Sequence, residues 1–239
     1  MDVDHLASPS LKKLFIKEIT DGILSGKLKV GERLPNERDL AKKMGVSRAV
    51  INGGMAELAR WGFVEIIPRK GAFVADYKLR GKVETLEVVL KYSGGRFDPV
   101  TMDSIYEVRL CVERHITELA AKRRTGQDII NLRKQIELIS SLDDIEALSA
   151  ATHEFYHLLS VASGNIIYPL NIEAYKVIYI PLMVAVYKRV PKQERIARFT
   201  RLVDLIEQQD TVRAIECITE LIQSGHTVFS EHYRPGQDF

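Results

Sequence analysis

Residues 153–157 read HEFYH. A histidine, a glutamate, two further residues and a second histidine form the metal-binding pattern of zinc proteases. On a helix His153 and His157 share a face four residues apart and can grip Zn²⁺, while Glu154 activates a water. That chemistry needs a third ligand at a suitable distance. The metzincin continuation fails, because Ser160 stands where its glycine belongs. Glu173, the other choice, follows too closely and lies beyond a Ser-Gly-Asn break. The strands that shape a protease cleft are also missing from this region. A helical zinc hydrolase using His153-Glu154-x-x-His157 is therefore the alternative reading of the chain, and not the leading one.

The elements around the motif decide the matter. With 239 residues, 46% hydrophobic and 28% charged, the chain can bury one large core or two smaller ones. Cys111 and Cys217 each fall among apolar residues at helical spacing. They are expected as buried free thiols, which fits a reducing cytoplasm. The opening MDVDHLASPS is acidic and lacks the apolar core of a signal peptide. The longest apolar run, VIYIPLMVAVY at 177–187, contains a proline and is too short to cross a bilayer, so it is expected as a core helix and no membrane partner is expected. Net charge is only +2, but residues 1–80 carry 15 Lys and Arg against 10 Asp and Glu. A basic head on a mildly acidic body suits a polyanionic partner.

Leu11, Phe15, Ile19 and Ile23 recur every four residues and predict an amphipathic first helix. Asn36 begins a short helix that carries Leu40 and Met44 inward and stops at Gly45. Ser47 caps the next, whose inner stripe is Val50, Gly54 and Leu58. FVEIIP and AFVAD, either side of Arg69-Lys70-Gly71, predict a hairpin. Three helices and a hairpin make a winged helix-turn-helix over residues 1–76. The polar, basic YKLRGK at 77–82 is expected as a linker. Residues 83–239 read as about seven helices, 83–93, 100–124, 127–140, 143–163, 165–190, 192–208 and 210–232, broken at Gly94-Gly95, Gly126, Gly164 and Pro191. They imply an all-α bundle around one core, so the chain is mainly α overall.

The helix after Ser47 is the candidate recognition helix. Arg48, Ala49 and Asn52 lie on its first exposed turns. Arginine matches guanine O6 and N7, and asparagine matches adenine N6 and N7, each through two hydrogen bonds. Ser47 can reach a phosphate, Arg38 lies near the backbone, and Lys70 at the hairpin tip reaches toward the minor groove, with Gly71 permitting close approach. In the body, Arg109 is the candidate cation for an effector's carboxylate or phosphate. Alternatively it only pairs with Glu113 along the helix. Tyr175 and Tyr179 fall one turn apart on an apolar helix and are either core or ligand contacts.

GERLPNERDLAKKMGVSRAV followed by LARWGFVEIIPRKGAFV resembles the winged domain of the GntR family of bacterial transcription regulators. YEVRLCVERHITELAA and FYHLLSVASGN resemble the FadR-type subgroup with its FCD ligand domain. The resemblance implies a cytoplasmic homodimer that binds a palindromic double-stranded DNA operator as a repressor or activator. It also implies response to a small organic acid or acyl-coenzyme A. Many FCD domains hold a metal through an aspartate, a histidine four residues later, and two histidines on the last helices. Here His153 and His157 occupy the first two positions, but Phe199 and Leu221 occupy the others and cannot ligate. His226 and His232 lie further along. No metal or other cofactor is therefore expected, and His153 and His157 are expected to line a metal-free effector cavity with Arg109, Tyr175 and Tyr179. The family's usual arginine-glutamate-alanine is replaced by Asn52-Gly53-Gly54. Two mid-helix glycines cost about 1 kcal/mol each relative to alanine. Either the helix packs backbone-close there or it stays soft until DNA orders it. A ligand-binding dimer with a decayed DNA head remains a third reading.

Overall fold

Ser10, Asn36 and Ser47 each accept a hydrogen bond from the backbone N–H three residues on, at Lys13, Asp39 and Val50. Each satisfies one donor that a helix start leaves orphaned. These caps fix α1 (Leu11–Leu24), α2 (Glu37–Met44) and α3 (Arg48–Arg60). The structure, a computed structural model, describes residues 10–92 and 99–232. The opening stretch before Ser10 and the expected break at Gly94-Gly95 lie outside the described residues.

The chain divides into two compact units at residues 95 and 96. In the first, Phe15, Ile16, Ile19 and Ile23 of α1 meet Ile51, Met55 and Leu58 of α3 in one apolar cluster with Leu40, Phe63 and Val74. Two positions differ from the sequence pattern. Leu11 is 54% exposed and Ile16 takes its place, while Ile51 rather than Val50 faces inward on α3. The cause is the same in both helices: the buried stripe follows a 3.6-residue period and drifts off a strict spacing of four. Met44 is only half-buried.

β1 (Val64–Ile67) and β2 (Gly71–Val74) pair antiparallel, from Val64 opposite Val74 to Ile67 opposite Gly71. Arg33 bridges to Phe73 and extends this small sheet beside α2. Residues 77–82, expected as a linker, instead begin with α4 (Tyr77–Arg80), and α5 (Val83–Tyr92) packs on α1 within the same unit. Buried Thr85 ties α5 to the end of α3 by donating to Trp61 O at 2.6 Å. Gly62 makes this return possible: its φ is +78°, and a Cβ there would lie 2.4 Å from Arg80 O.

The second unit contains α6 (Pro99–Arg123), α7 (Gly126–Ser141), α8 (Ile145–Ala162), α9 (Ile167–Ala174), α10 (Lys176–Tyr187), α11 (Lys192–Glu207) and α12 (Thr211–His232). A capping box between Thr125 and Asp128 starts α7, and Asp144 caps α8. α12 packs along α6 and α11, while α8 packs against α6, α7 and α10. The segment expected as one helix over 165–190 is two, bent by 62° at Tyr175. Pro181 lies inside α10 at its sixth residue, where it removes one helical N–H and crowds the carbonyl four residues back. As expected, α10 buries most of its length, including Ile178, Tyr179, Leu182, Met183 and Val186. Among the described residues no single helix is long and apolar enough to cross a membrane. Cys217 is buried and Cys111 is exposed, and both are free thiols. Cys111 lies two residues from both Arg109 and Glu113, hence on the side of α6 opposite the buried stripe.

Candidate functional site

On the first unit, capping by Ser47 exposes the start of α3. Arg48, Ala49 and Asn52 are all exposed there, with Arg48 and Asn52 one turn apart. A shallow groove runs from this point past the start of α2 to the wing, lined by Arg33, Pro35, Arg38, Arg48, Ile66 and Gly71. Arg38, Arg48 and Gly71 are thus brought together. Ala49, Asn52 and Lys70 lie exposed outside its lining. Arg38 comes no nearer than 3.9 Å to Asp39, a weak exposed pair. Arg33 was not legible as a site residue. Its guanidinium lies over Gly71, where a Cβ would come within 3.2 Å of Nε. The only sequence signal is its place just before α2 in GERLPNERD.

The two glycines of α3 have different reasons. At Gly54 a Cβ would lie 2.3 Å from Cδ1 of Phe15, so the backbone of α3 rests directly on that ring. At Gly53 the nearest heavy atom is Lys12 Cδ at 3.8 Å, which is ordinary contact. Of the two alternatives left by the sequence, Gly54 takes close packing, and nothing in the structure requires Gly53 to lack a side chain.

The second unit contains a buried polar cluster. Arg109 is 4% exposed and Glu113 1%. Arg109 donates through Nε to Glu113 Oε1 at 2.6 Å and through Nη2 to Oε2 at 3.2 Å. Tyr179 donates its hydroxyl to Glu113 Oε1 at 2.5 Å. The Arg109 guanidinium also lies over the rings of Tyr106, Tyr156 and Tyr179, at 5.6, 5.5 and 4.8 Å. Burial works against its charge, but Glu113 and the neighbouring tyrosines outweigh burial and hold the pKa well above its ordinary value. Of the two sequence readings of Arg109, the structure shows the pair with Glu113 one turn away, made in the interior.

His153 packs edge-on to Tyr179, with ring centroids 5.8 Å apart, and its Nε2 lies 3.2 Å from Ile172 O. Burial lowers its pKa, partly offset by that carbonyl and by Glu173. His157 is partly exposed, and its Nδ1 lies 3.5 Å from Glu154 Oε1 without a hydrogen bond. Glu154 faces solvent while His153 faces the core, so the histidine-glutamate motif does not converge on one point. Among the described residues no three His, Cys, Asp or Glu side chains gather in metal-binding geometry. Phe199 is buried against Phe155 at a centroid distance of 4.4 Å, and Leu221 is also buried. His226 lies with Nε2 2.7 Å from Asp103 Oδ1, between α12 and α6. Tyr175, at the bend between α9 and α10, is half-buried and makes none of the cluster's contacts.

Arg195 completes the interior and was missed by sequence. It is 2% exposed on α11. It lies four residues before Phe199 on the stripe that continues through Leu202, Val203 and Ile206. An arginine heading an apolar stripe is a readable signal.

Comparison with known proteins agrees with this architecture. Residues 15–74 match the family model "Bacterial regulatory proteins, gntR family", and residues 104–224 match the FCD domain. The HTH-type transcriptional regulator Mce2R of Mycobacterium tuberculosis is 25% identical over 228 residues, covering 95% of each chain. A fatty acid metabolism regulator protein of Proteus mirabilis is 25% identical over 218 residues, 91% of this chain and 90% of its own. The solved structure of Lar, which controls expression of the Listeria monocytogenes agr system, superposes with a TM-score of 0.65 over 95% of this chain and 99% of its own, at 18% identity, which is a likeness of fold. The chain belongs to the gntR family of bacterial regulatory proteins, carries an FCD domain as its helical unit, and is a transcriptional regulator rather than an enzyme.

Proposed function

We propose that the chain works as a homodimer on a palindromic operator and that a small carboxylate or acyl-type ligand in the helical unit modulates its DNA affinity. The observation that carries the DNA half is the groove from the start of α3 to the wing. Arg33 and Arg48 line it without an ion-pair partner among the described residues, beside the exposed tip Arg69-Lys70. In this reading Arg48 and Asn52 read base edges, Ser47 and Arg38 hold phosphates, Arg33 joins them, and Lys70 follows the minor groove past Gly71. Two such heads on a palindrome double the contacts, which is why a dimer belongs to the proposal.

The effector half is supported by the polar cluster of Arg109, His153 and Tyr179 inside an otherwise apolar bundle. It is also supported by likeness to regulators named for fatty acid metabolism. An effector that binds one arrangement of the heads better than the other must change operator affinity by that same difference. The test is selection of genomic fragments bound by the purified protein, followed by titration of the recovered duplex at several salt concentrations. A linear fall of log affinity with log salt and a stoichiometry of two chains per site are expected. Salt-independent binding, or one chain per site, refutes the proposal.

A further inference from the structure

Two guanidiniums and one carboxylate are the charged side chains fully buried in the described residues of the helical unit: Arg109, Arg195 and Glu113. Glu113 is already taken. It receives both arms of Arg109 and the hydroxyl of Tyr179. Among the described residues Arg195 has no carboxylate within ion-pair distance. Its Nε makes no hydrogen bond, and Nη2 has only Tyr156 Oη at 3.5 Å and Met183 Sδ at 3.8 Å. The rings of Tyr187 and Phe199, at 5.8 and 5.5 Å, supply the rest of its surroundings. Tyr156 joins the arginines into one cluster, since Arg109 lies over its ring and Arg195 beside its hydroxyl.

The tyrosines do not supply the missing negative charge. Burial pushes Tyr156 up to about 12 and raises Tyr106 and Tyr179 as well. The buried hydroxyl of Tyr106 also makes no hydrogen bond. The described interior therefore holds one surplus positive charge and at least two donors without acceptors. Burying such a charge unpaired is costly, and charge-assisted bonds to an acceptor offset that cost.

We infer that Arg195 anchors a monocarboxylate ligand inside the helical unit, its guanidinium taking the carboxylate and the surrounding apolar side chains taking the ligand's tail. A single negative charge matches the surplus, and the fork of Nε and Nη2 matches two carboxylate oxygens. Met183, Phe199 and the ring of Tyr187 make the surroundings of Arg195 mostly apolar, which disfavours a highly hydrated anion. The inference rests on the effector reading of the helical unit and names the group that would recognise the ligand.

The test uses the full-length protein and straight-chain monocarboxylates from acetate to decanoate at constant pH, with the chain-matched neutral amides and inorganic phosphate as further arms. Thermal unfolding is followed for the parent protein, Arg195→Met and Arg195→Lys. At least one acid should raise the unfolding temperature by several degrees while its amide does not. Arg195→Met should weaken that acid at least tenfold, and Arg195→Lys should fall between. Without ligand, Arg195→Met should be no less stable than the parent, because it removes an unpaired charge. Equal shifts with acid and amide, a shift with phosphate alone, no shift with any acid, or an unchanged response in Arg195→Met would each overturn the inference. If Arg195→Met does not fold, the acid–amide comparison and Arg195→Lys decide. Operator affinity measured in parallel keeps the two readings apart: an acid that binds through Arg195 but leaves operator affinity unchanged supports the anchor and refutes its role as effector.

Discussion

Gly54 on α3 packs against the ring of Phe15 on α1, so closely that a Cβ would stand 2.3 Å from Cδ1 and 2.7 Å from Cε1. Phe15 is fully buried and has little room to retreat. Gly54→Ala should therefore destabilise the first unit by about 1–3 kcal/mol through overpacking, despite alanine's better helix propensity. Gly53→Ala, one residue away with only ordinary contact to Lys12, should stabilise by up to about 1 kcal/mol. Urea unfolding of both variants checks the pair. Similar effects of the same sign would show that helix propensity rather than Phe15 governs this turn.

The groove predicts a division of labour among arginines. Arg48→Ala should cost about 1–3 kcal/mol on the cognate duplex and relax its sequence preference. Arg33→Ala should weaken binding evenly across sequences and reduce the salt slope by about one, as expected for a phosphate contact. Fluorescence anisotropy on matched and scrambled duplexes separates the outcomes. If Arg33→Ala changed sequence preference and Arg48→Ala did not, the proposed docking would be reversed.

How far this was readable from sequence depends on the kind of signal. Caps are local, so Asn36 and Ser47 were legible from residue type and spacing, and both accept the expected hydrogen bonds. Inner stripes were legible only in part, because strict fourfold spacing names Leu11 and Val50 where the structure buries Ile16 and Ile51. Tertiary reasons were not legible. The inner stripe picked out Gly54 and not Gly53, but only Phe15 shows why Gly54 must lack a side chain. YKLRGK reads as a linker by composition, yet Thr85 and Gly62 hold α4 and α5 against the end of α3. Arg195 did carry a local signal, its place four residues before Phe199, but the charged run KQERIAR masks it.

The Arg109–Glu113 pair should behave as a buried ion pair does when it is broken on one side only. Glu113→Gln leaves Arg109 uncompensated beside Arg195 and should destabilise the helical unit by about 3–5 kcal/mol. Replacing both, Arg109→Met with Glu113→Leu, should cost distinctly less than the single change, because no buried charge is left unpaired at that point. The remaining cost comes from the Tyr179 hydroxyl, which loses its acceptor. Denaturant midpoints for the parent, Arg109→Met, Glu113→Leu and the pair together close a double-mutant cycle, with Glu113→Gln measured beside them. A double variant as unstable as the sum of both singles would argue against coupling through the pair.

His153 gives the helical unit a pH dependence whose sign is set by its surroundings. Burial lowers its pKa below the ordinary value of 6.5, and the Ile172 carbonyl and Glu173 offset this only in part. The unfolded chain therefore takes up the proton first as pH falls, and stability declines with it. The loss begins as pH drops through about 6.5, the unfolded value, and is complete once pH lies below the lowered folded value. Each pKa unit of separation is worth about 1.4 kcal/mol. His153→Gln keeps a donor for Ile172 O and cannot titrate. Between pH 7.5 and 5.5 its urea midpoint should therefore fall less than the parent's. A parallel fall in both proteins would place the acid sensitivity elsewhere in the chain, and a steeper fall in the variant would mean that His153 gains rather than loses protons on folding.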